Sequence, residues 1–314
     1  MKVRTVFMGT PQFAVTILSA LVESSHPVVG VYTQPDRFGG RGHKVLPSPV
    51  KQAAEAYRIP VVQVETFKSG DAIEQLVGFN PELIVVAAFG LILPPEVLSL
   101  PRFGCINVHA SLLPRHRGPS PVASAILCGD EFSGVTIMLM DEGVDTGKIL
   151  AQKKVRILPD DTTGTLTVKL AGAGAQLLLE VLPRWLRQEI TPQPQDESQA
   201  TYTRLITSED GEIDWHLPAV ELWRSVRAYN PWPGCYTWYK GKRFKIHQAF
   251  PRDKVVQGQL GQVVALGEPG RVGVVTGCGI LELHEVQLEG RRRMGIGDFV
   301  NGERQFVGSI LGKK

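Results

Sequence analysis

Leu83-Ile-Val-Val-Ala-Ala88 is apolar at every position and shows no alternation. A strand with one face in water alternates apolar and polar residues. A strand covered on both faces does not, and that condition is typical of parallel sheets sandwiched by helices. Working outward, residues 3–8, 28–33 and 105–109 read as strands of the same sheet. Between them lie helical segments at 11–24, with Pro11 in the first turn, at 48–57, with Pro49 near its start, and at 119–129, closed by Gly129. Residues 135–140 and 149–155 read as a final strand pair, and 165–189 as a long helix with Pro183 near its end. Strand and helix alternate throughout, so the expected class is α/β, an open, twisted, mostly parallel, Rossmann-like sheet.

From 190 to 205 the pattern stops. Thr191-Pro-Gln-Pro-Gln-Asp-Glu-Ser-Gln199 is polar, bears two prolines and has no period, so it reads as a linker. Beyond it, a short helix at 218–229 precedes short strands at 236–239, 244–249, 261–266, 272–276 and 280–286. That spacing fits a smaller, OB-like β-barrel domain. The expected organisation is a catalytic domain over 1–189, a linker over 190–205 and a barrel domain over 206–314.

At 314 residues the chain is long enough for two cores. Its 43% hydrophobic and 21% charged content describe an ordinary globular chain, not a disordered one, and no uninterrupted apolar run approaches the roughly 18 residues of a membrane helix. A cytoplasmic monomer is the expectation. Cys105, Cys128, Cys235 and Cys278 are widely spaced, without a Cys-x-x-Cys pair, so neither zinc nor a disulfide framework is indicated. The net charge is +3, and from Ile206 onward 15 Lys and Arg stand against 12 Asp and Glu, so the last third carries the whole excess. A polyanionic partner is one reading of that asymmetry, and a merely solvated face is the other.

The residues able to do chemistry cluster at Asn107-Val-His109-Ala-Ser111-Leu-Leu-Pro114 and Gly143-Val-Asp145-Thr-Gly147. Asn107 and His109 are two apart on a strand, so both side chains point one way. At the carboxyl edge of a parallel sheet that direction faces the usual ligand crevice. Asn-x-His alone also fits a satisfied core histidine beside a turn. The adjoining Ser-Leu-Leu-Pro and the second, glycine-flanked loop favour a site. An amide, an imidazole and a carboxylate can stabilise an oxyanion, move a proton and orient the mover, without a covalent nucleophile. Other motifs fail. Gly143 to Lys148 is one residue short of a phosphate loop, no Gly-x-Gly-x-x-Gly follows the first strand, and Ser111 has no Gly-x-Ser-x-Gly elbow.

Phe7-Met-Gly-Thr-Pro11, Gln34-Pro-Asp-Arg37 with Gly40-Arg41-Gly42, Phe89-Gly90-Leu-Ile-Leu-Pro94, Arg117-Gly118 and Ala228-Tyr-Asn-Pro-Trp-Pro-Gly234 complete a pattern with the two clusters above. Over essentially its whole length, the chain resembles the methionyl-tRNA formyltransferases. The Asn, His, Ser-Leu-Leu-Pro and Asp set is common to folate-dependent formyltransferases, whereas the Arg41 loop and second domain are more particular to the tRNA-acting family.

The resemblance implies transfer of a formyl group from 10-formyltetrahydrofolate, a co-substrate, to the α-amine of methionine on initiator tRNA, with no metal and no membrane. It assigns catalysis to Asn107, His109 and Asp145. It assigns the folate pocket to Gly90, Leu91, Ile92, Ser111, Leu112, Leu113 and Pro114, and a tRNA contact to Arg41; Arg37 and Lys44 in the same basic loop are candidate phosphate contacts by composition, with a merely solvated loop as the other reading. In the second domain Lys240, Lys242, Arg243 and Lys245 are the expected phosphate contacts, with Trp232 and Trp238 in the core. Small-substrate formyltransferases and a non-catalytic folate- or RNA-binding module are the competing readings. The first usually lack the Arg41 loop and the barrel, and the intact Asn107, His109 and Asp145 argue against the second.

Overall fold

The computed structural model describes residues 2–24, 26–39, 44–68, 70–253 and 258–312. Contacts divide the chain into two compact units: Met1–Pro121 with Phe132–Arg156 and Thr167–Arg204, and Val122–Glu131 with Ile157–Leu166 and Leu205–Lys314.

In chain order the first elements are β1 (Thr5–Gly9), α1 (Gln12–Glu23), β2 (Val28–Thr33), β3 (Arg37–Gly39), β4 (Lys44–Leu46), α2 (Pro49–Ala56), β5 (Val61–Gln63), α3 (Asp71–Phe79), β6 (Leu83–Ala87) and α4 (Pro95–Leu98). Then come β7 (Cys105–His109), α5 (Pro121–Cys128), β8 (Phe132–Leu139), β9 (Ile149–Arg156) and α6 (Thr163–Leu186). The sheet of the first unit runs β5-β2-β1-β6-β7-β8-β9. Its first five strands are parallel, while β8 runs antiparallel to β7 and β9 antiparallel to β8. The mostly parallel, Rossmann-like sheet is therefore present, with its antiparallel pair at one edge. β1, β6 and β7 are buried at every residue; β6 is apolar throughout, whereas β7 buries the polar Asn107 and His109. The loop between β2 and α2 holds a short hairpin of β3 with β4.

One helix, α6, is long and apolar enough to cross a membrane by length and composition. It is interrupted by Lys169, Glu180 and Arg184. Leu170, Ala171, Leu178, Val181 and Leu182 are buried, as in a core helix.

The stretch expected to be a linker makes structure of its own. Gln193 exchanges both backbone hydrogen bonds with Ile149, and the main chain of Thr201 and Thr203 bonds to Arg117. Residues up to Arg204 therefore pack as part of the first unit. Polar composition marked their exposure, not freedom.

The second unit contains α7 (Ala219–Ala228), β10 (Cys235–Tyr239), β11 (Lys242–Arg252), β12 (Val263–Ala265), β13 (Val272–Val275), β14 (Ile280–Leu288), β15 (Met294–Gly295) and α8 (Ile296–Gly302). Its antiparallel order is β10-β11-β14-β13-β12, with β15 on β14. The strands form a half-barrel. The gap between its edges is bridged by the C-terminal segment, whose Gly308 and Ser309 bond to Val263 of β12 while Gly312 N donates to Trp238 O of β10. Phe244, Phe299, Phe306 and Tyr239 form the aromatic centre of this core. Trp238 is half-buried, its Nε1 donating to Glu212. Trp232, expected in the core, is 58% exposed. It sits in the Asn230-Pro-Trp-Pro turn, outside the strand alternation that turns residues inward.

Candidate active site

β6 and β7 end side by side, with Val86 paired to Asn107. Asn107 and His109 occupy alternate positions of β7 and are 8% and 7% exposed. The turn after β8 brings Asp145 to them. Asn107 Nδ2 is 3.4 Å from Asp145 Oδ1 and donates to it. His109 Nδ1 lies 3.5 Å from Asp145 Oδ2. The strongest bond to that carboxylate comes from the main chain, since Gly118 N donates to Oδ2 at 2.7 Å. Amide, imidazole and carboxylate thus meet at one strand end.

The other ring nitrogen is also engaged. His109 Nε2 lies 3.1 Å from His116 O. A carbonyl oxygen only accepts, so Nε2 carries the hydrogen and donates it. For His109 to donate to a substrate oxygen, one of these two contacts must be exchanged for it. Asn107 has no such conflict, because Nδ2 carries two hydrogens and only one is directed at Asp145.

Two nearby side chains with nucleophilic atoms are not presented as nucleophiles. Ser111 is fully buried and its hydroxyl donates to Arg115 O at 2.6 Å. Burial pushes the Cys105 thiol up to about 12, and its Sγ faces the carbonyl of Val97. Cys105 is a core residue beneath the site. Among the described residues no group of three His, Cys, Asp or Glu side chains gathers to hold a metal ion.

The Ser111–Pro114 turn is bonded inward. Ser111 O accepts from Thr136 Oγ1, Leu112 O from Arg115 N, Leu113 O from Gln152 Nε2 and Pro114 O from Thr201 N. Leu113 N donates to Thr136 Oγ1, and the Leu113 side chain is buried. What this turn leaves toward a ligand is chiefly the half-buried side chains of Leu112 and Pro114. At the end of β6, Gly90 has φ +79° and its Cα stands so close to Gln34 that a Cβ would lie 2.5 Å from Nε2. Leu91 is half-buried and Ile92 is 78% exposed beside it, an apolar side chain without cover.

Of the basic residues expected to meet RNA, Arg41 lies outside the described residues. Lys44 falls on β4. Arg37 is exposed and donates to Gln34 Oε1. In the second unit, Arg243 and Lys245 alternate with core Phe244 and Ile246, so they share the outer face of β11. There Arg243 lies over the rings of Tyr236 and Trp238, at 4.2 and 5.7 Å. Lys242 is exposed, while Lys240 is held by Gln305 and Glu303. A separate cavity of about 320 Å³ in this unit, lined by Arg227, His247 and Arg293, is remote in composition from the Asn107 set.

Three further residues, Arg117, Gln195 and Glu197, support the site. Arg117, next to Gly118, is fully buried. Its Nε and Nη2 donate to Gln195 Oε1, its Nη1 and Nη2 to the Glu197 carboxylate, and its Nη1 to Tyr202 Oη. All five guanidinium hydrogens therefore have acceptors. The hydrogen bonds to Arg117 hold the Glu197 carboxyl below its usual range. Gln195 in turn donates to the carbonyls of Asp145 and Gly147. Arg117 was visible as part of the quoted motif. Gln195 and Glu197 had no local signal, because their partners are some 50 to 80 residues away.

An amide, an imidazole and a carboxylate meeting at the carboxyl edge of a parallel sheet, with no nucleophile presented beside them, have the composition of a group-transfer site. Residues 1–182 match the family described as formyl transferase, and residues 205–304 match its C-terminal domain. The chain belongs to the formyl transferase family. Within it, the chain is similar to the methionyl-tRNA formyltransferase of Chloroflexus aurantiacus, with 48% identity covering 93% of this chain and 94% of that protein. It is also similar to the methionyl-tRNA formyltransferase of Coxiella burnetii, with 44% identity over 99% of both. Among solved structures, an N-formyltransferase from Helicobacter canadensis, in complex with folinic acid and dTDP-3-aminofucose, shares the fold at a TM-score of 0.66 and 18% identity, over 90% of this chain and 98% of that one.

Proposed function

We propose that this chain transfers the formyl group of 10-formyltetrahydrofolate to the α-amine of methionine esterified to initiator tRNA, in the cytoplasm, as a step toward translation initiation. The observation that carries the reading is the meeting of Asn107, His109 and Asp145 in a chain similar over nearly its full length to methionyl-tRNA formyltransferases. Ser111 and Cys105 are turned away from nucleophilic work, so the substrate amine attacks the formyl carbon directly.

The new C–N bond forms as the carbonyl π pair moves to oxygen. Asn107 donates its second Nδ2 hydrogen to that oxyanion, and His109 donates to the same oxygen on exchanging one of its present partners. Preorganised donors at a developing charge are typically the largest single catalytic contribution. Asp145 accepts the proton lost by the attacking amine, directly or through water. When the oxyanion pair reforms the carbonyl, the bond to N10 breaks and N10 takes up one proton, so no net proton is gained or lost.

Gly90, Leu91, Ile92 and the Ser111, Leu112, Leu113 and Pro114 turn form the folate pocket, with Ile92, Leu112 and Pro114 presenting apolar surface to the pterin. Residues 1–204 carry this chemistry, and residues 206–314 bind tRNA through Lys240, Lys242, Arg243 and Lys245, assisted by Arg37, Arg41 and Lys44. The deciding experiment measures formyl transfer from 10-formyltetrahydrofolate to Met-tRNA, with free methionine and an amino sugar nucleotide as alternative acceptors. Transfer to Met-tRNA alone is expected. Transfer to the small acceptors at equal or greater kcat/KM would replace this reading.

A further inference from the structure

We infer that Gln195 is a positioning residue for formyl transfer, acting by fixing the backbone from which Asp145 projects. The inference rests on the proposed role of Asp145.

The amide of Gln195 is fully committed. Nε2 donates to Asp145 O at 2.9 Å and to Gly147 O at 2.7 Å. Oε1 accepts from Arg117 Nε at 3.1 Å and Nη2 at 2.8 Å. Two hydrogens and two lone pairs are each used once. One planar group thus ties the Asp145–Gly147 turn to a buried guanidinium.

That turn needs holding. Asp145 has φ +54°, in the left-handed region. A residue with a Cβ is disfavoured there, aspartate less than most, and its place is kept by the groups that hold it. Its surroundings supply two arms. Gly118 N holds the carboxylate at Oδ2, and Gln195 holds the carbonyl. Both arms root in Arg117, which precedes Gly118 in sequence and grips Gln195 through its side chain. Without the second arm the carboxylate keeps its chemistry but loses its fixed origin. A misplacement of about 1 Å can cost a hundredfold in rate.

Gln195→Glu isolates this function. A carboxylate still accepts from Arg117 but offers no N–H to the two carbonyls. Gln195→Ala is the second variant, because it leaves room for water at the same groups. Each is assayed for melting temperature, kcat, KM for 10-formyltetrahydrofolate and KM for Met-tRNA, alone and combined with Asp145→Ala. The expected result is a kcat about ten- to a hundredfold lower with both KM values within about twofold. In the Asp145→Ala background the same change should alter the residual rate by less than about twofold, since coupled residues are not additive. An unchanged kcat in a folded variant, or an equal loss with and without Asp145, overturns the inference. The wild-type assay tests the underlying reading separately. Should wild type fail to formylate Met-tRNA, the ¹⁵N resonances of the His109 ring decide the matter for Gln195. They are expected to move in Gln195→Glu because Asp145 moves, and unmoved resonances overturn the inference.

Discussion

The main-chain N–H of Gly118 donates to Asp145 Oδ2 at 2.7 Å, and the same oxygen lies 3.5 Å from His109 Nδ1. The carboxylate that faces the imidazole is therefore set by a backbone amide, which no side-chain deletion can remove but a backbone shift can. Gly118 has φ +103°, and a Cβ there would lie 2.9 Å from the main-chain oxygen of Thr203. Gly118→Ala is expected to keep the fold at lower melting temperature and to lower kcat about ten- to a hundredfold, with little change in folate KM. Full turnover in the variant would show that this bond is not needed for catalysis.

His109→Ala should abolish most transfer while leaving folate binding intact. Loss of one oxyanion donor typically costs about a hundred- to a thousandfold in rate. Asp145→Asn keeps the size and removes the charge opposite Nδ1, so kcat should fall steeply at nearly constant tRNA affinity. Should tRNA affinity fall instead while kcat holds, Asp145 would be a recognition residue and the proton scheme would be wrong.

How far these residues can be read from sequence follows from the range of the forces involved. β6 is legible because a strand buried on both faces is apolar throughout, and β7 because its apolar residues flank a polar pair at alternate positions. Asn107 and His109 were legible as a pair because strand periodicity alone puts them on one side. Asp145 was legible from its glycine flanks. β5 and α3 passed unread, since Val61–Gln63 is a three-residue edge strand and Asp71–Phe79 is a short helix containing Gly78. The strap through Arg204, within the expected 190–205 linker, is not legible locally for a deeper reason. Its prolines and polar side chains describe its solvent face, whereas its position is fixed by Arg117, Ile149 and Asp145, which no local pattern can reveal. A chain truncated at Glu189 would lose Gln195 and Glu197 with it.

The second unit should show an acid limit set by Glu282. This side chain is 1% exposed and is gripped by Arg252 at 2.5 Å and Arg271 at 2.6 Å. Burial pushes its carboxyl up, yet the hydrogen bonds from Arg252 and Arg271 outweigh it and the net direction is down. A carboxyl lowered on folding stabilises fully above its unfolded value, about 4.3, and that contribution is lost as pH falls through the lower folded value. Glu282→Gln should cost about 1–3 kcal/mol at pH 7 and flatten the fall in melting temperature below about pH 4. An unchanged acid slope would place that limit elsewhere.

Thiol labelling separates core from surface. Burial pushes Cys105 and Cys235 up to about 12, while Cys128 and Cys278 are exposed. Iodoacetamide at pH 8 should modify Cys128 and Cys278 in the native protein and leave the other two unlabelled until denaturant is added. Rapid native labelling of Cys105 with loss of transfer would contradict its place beneath Asn107.

The basic residues of β11 and its turn that are proposed to meet tRNA differ in how free their side chains are. Lys242 is exposed and Arg243 lies over Tyr236 and Trp238, presenting a guanidinium on a rigid aromatic base. Lys240 already has Gln305 at 3.0 Å and Glu303 at 3.8 Å. A phosphate would have to compete with those groups for it. Lys242→Ala and Arg243→Ala should each raise KM for Met-tRNA, leave folate KM unchanged and reduce the log–log salt slope of tRNA binding by about one. Lys240→Ala should do less of each, and Arg41→Ala should weaken tRNA engagement without touching folate. Binding that is insensitive to salt, or an effect of Lys240 exceeding those of Lys242 and Arg243, would mean that these side chains are only solvated and that the RNA lies elsewhere.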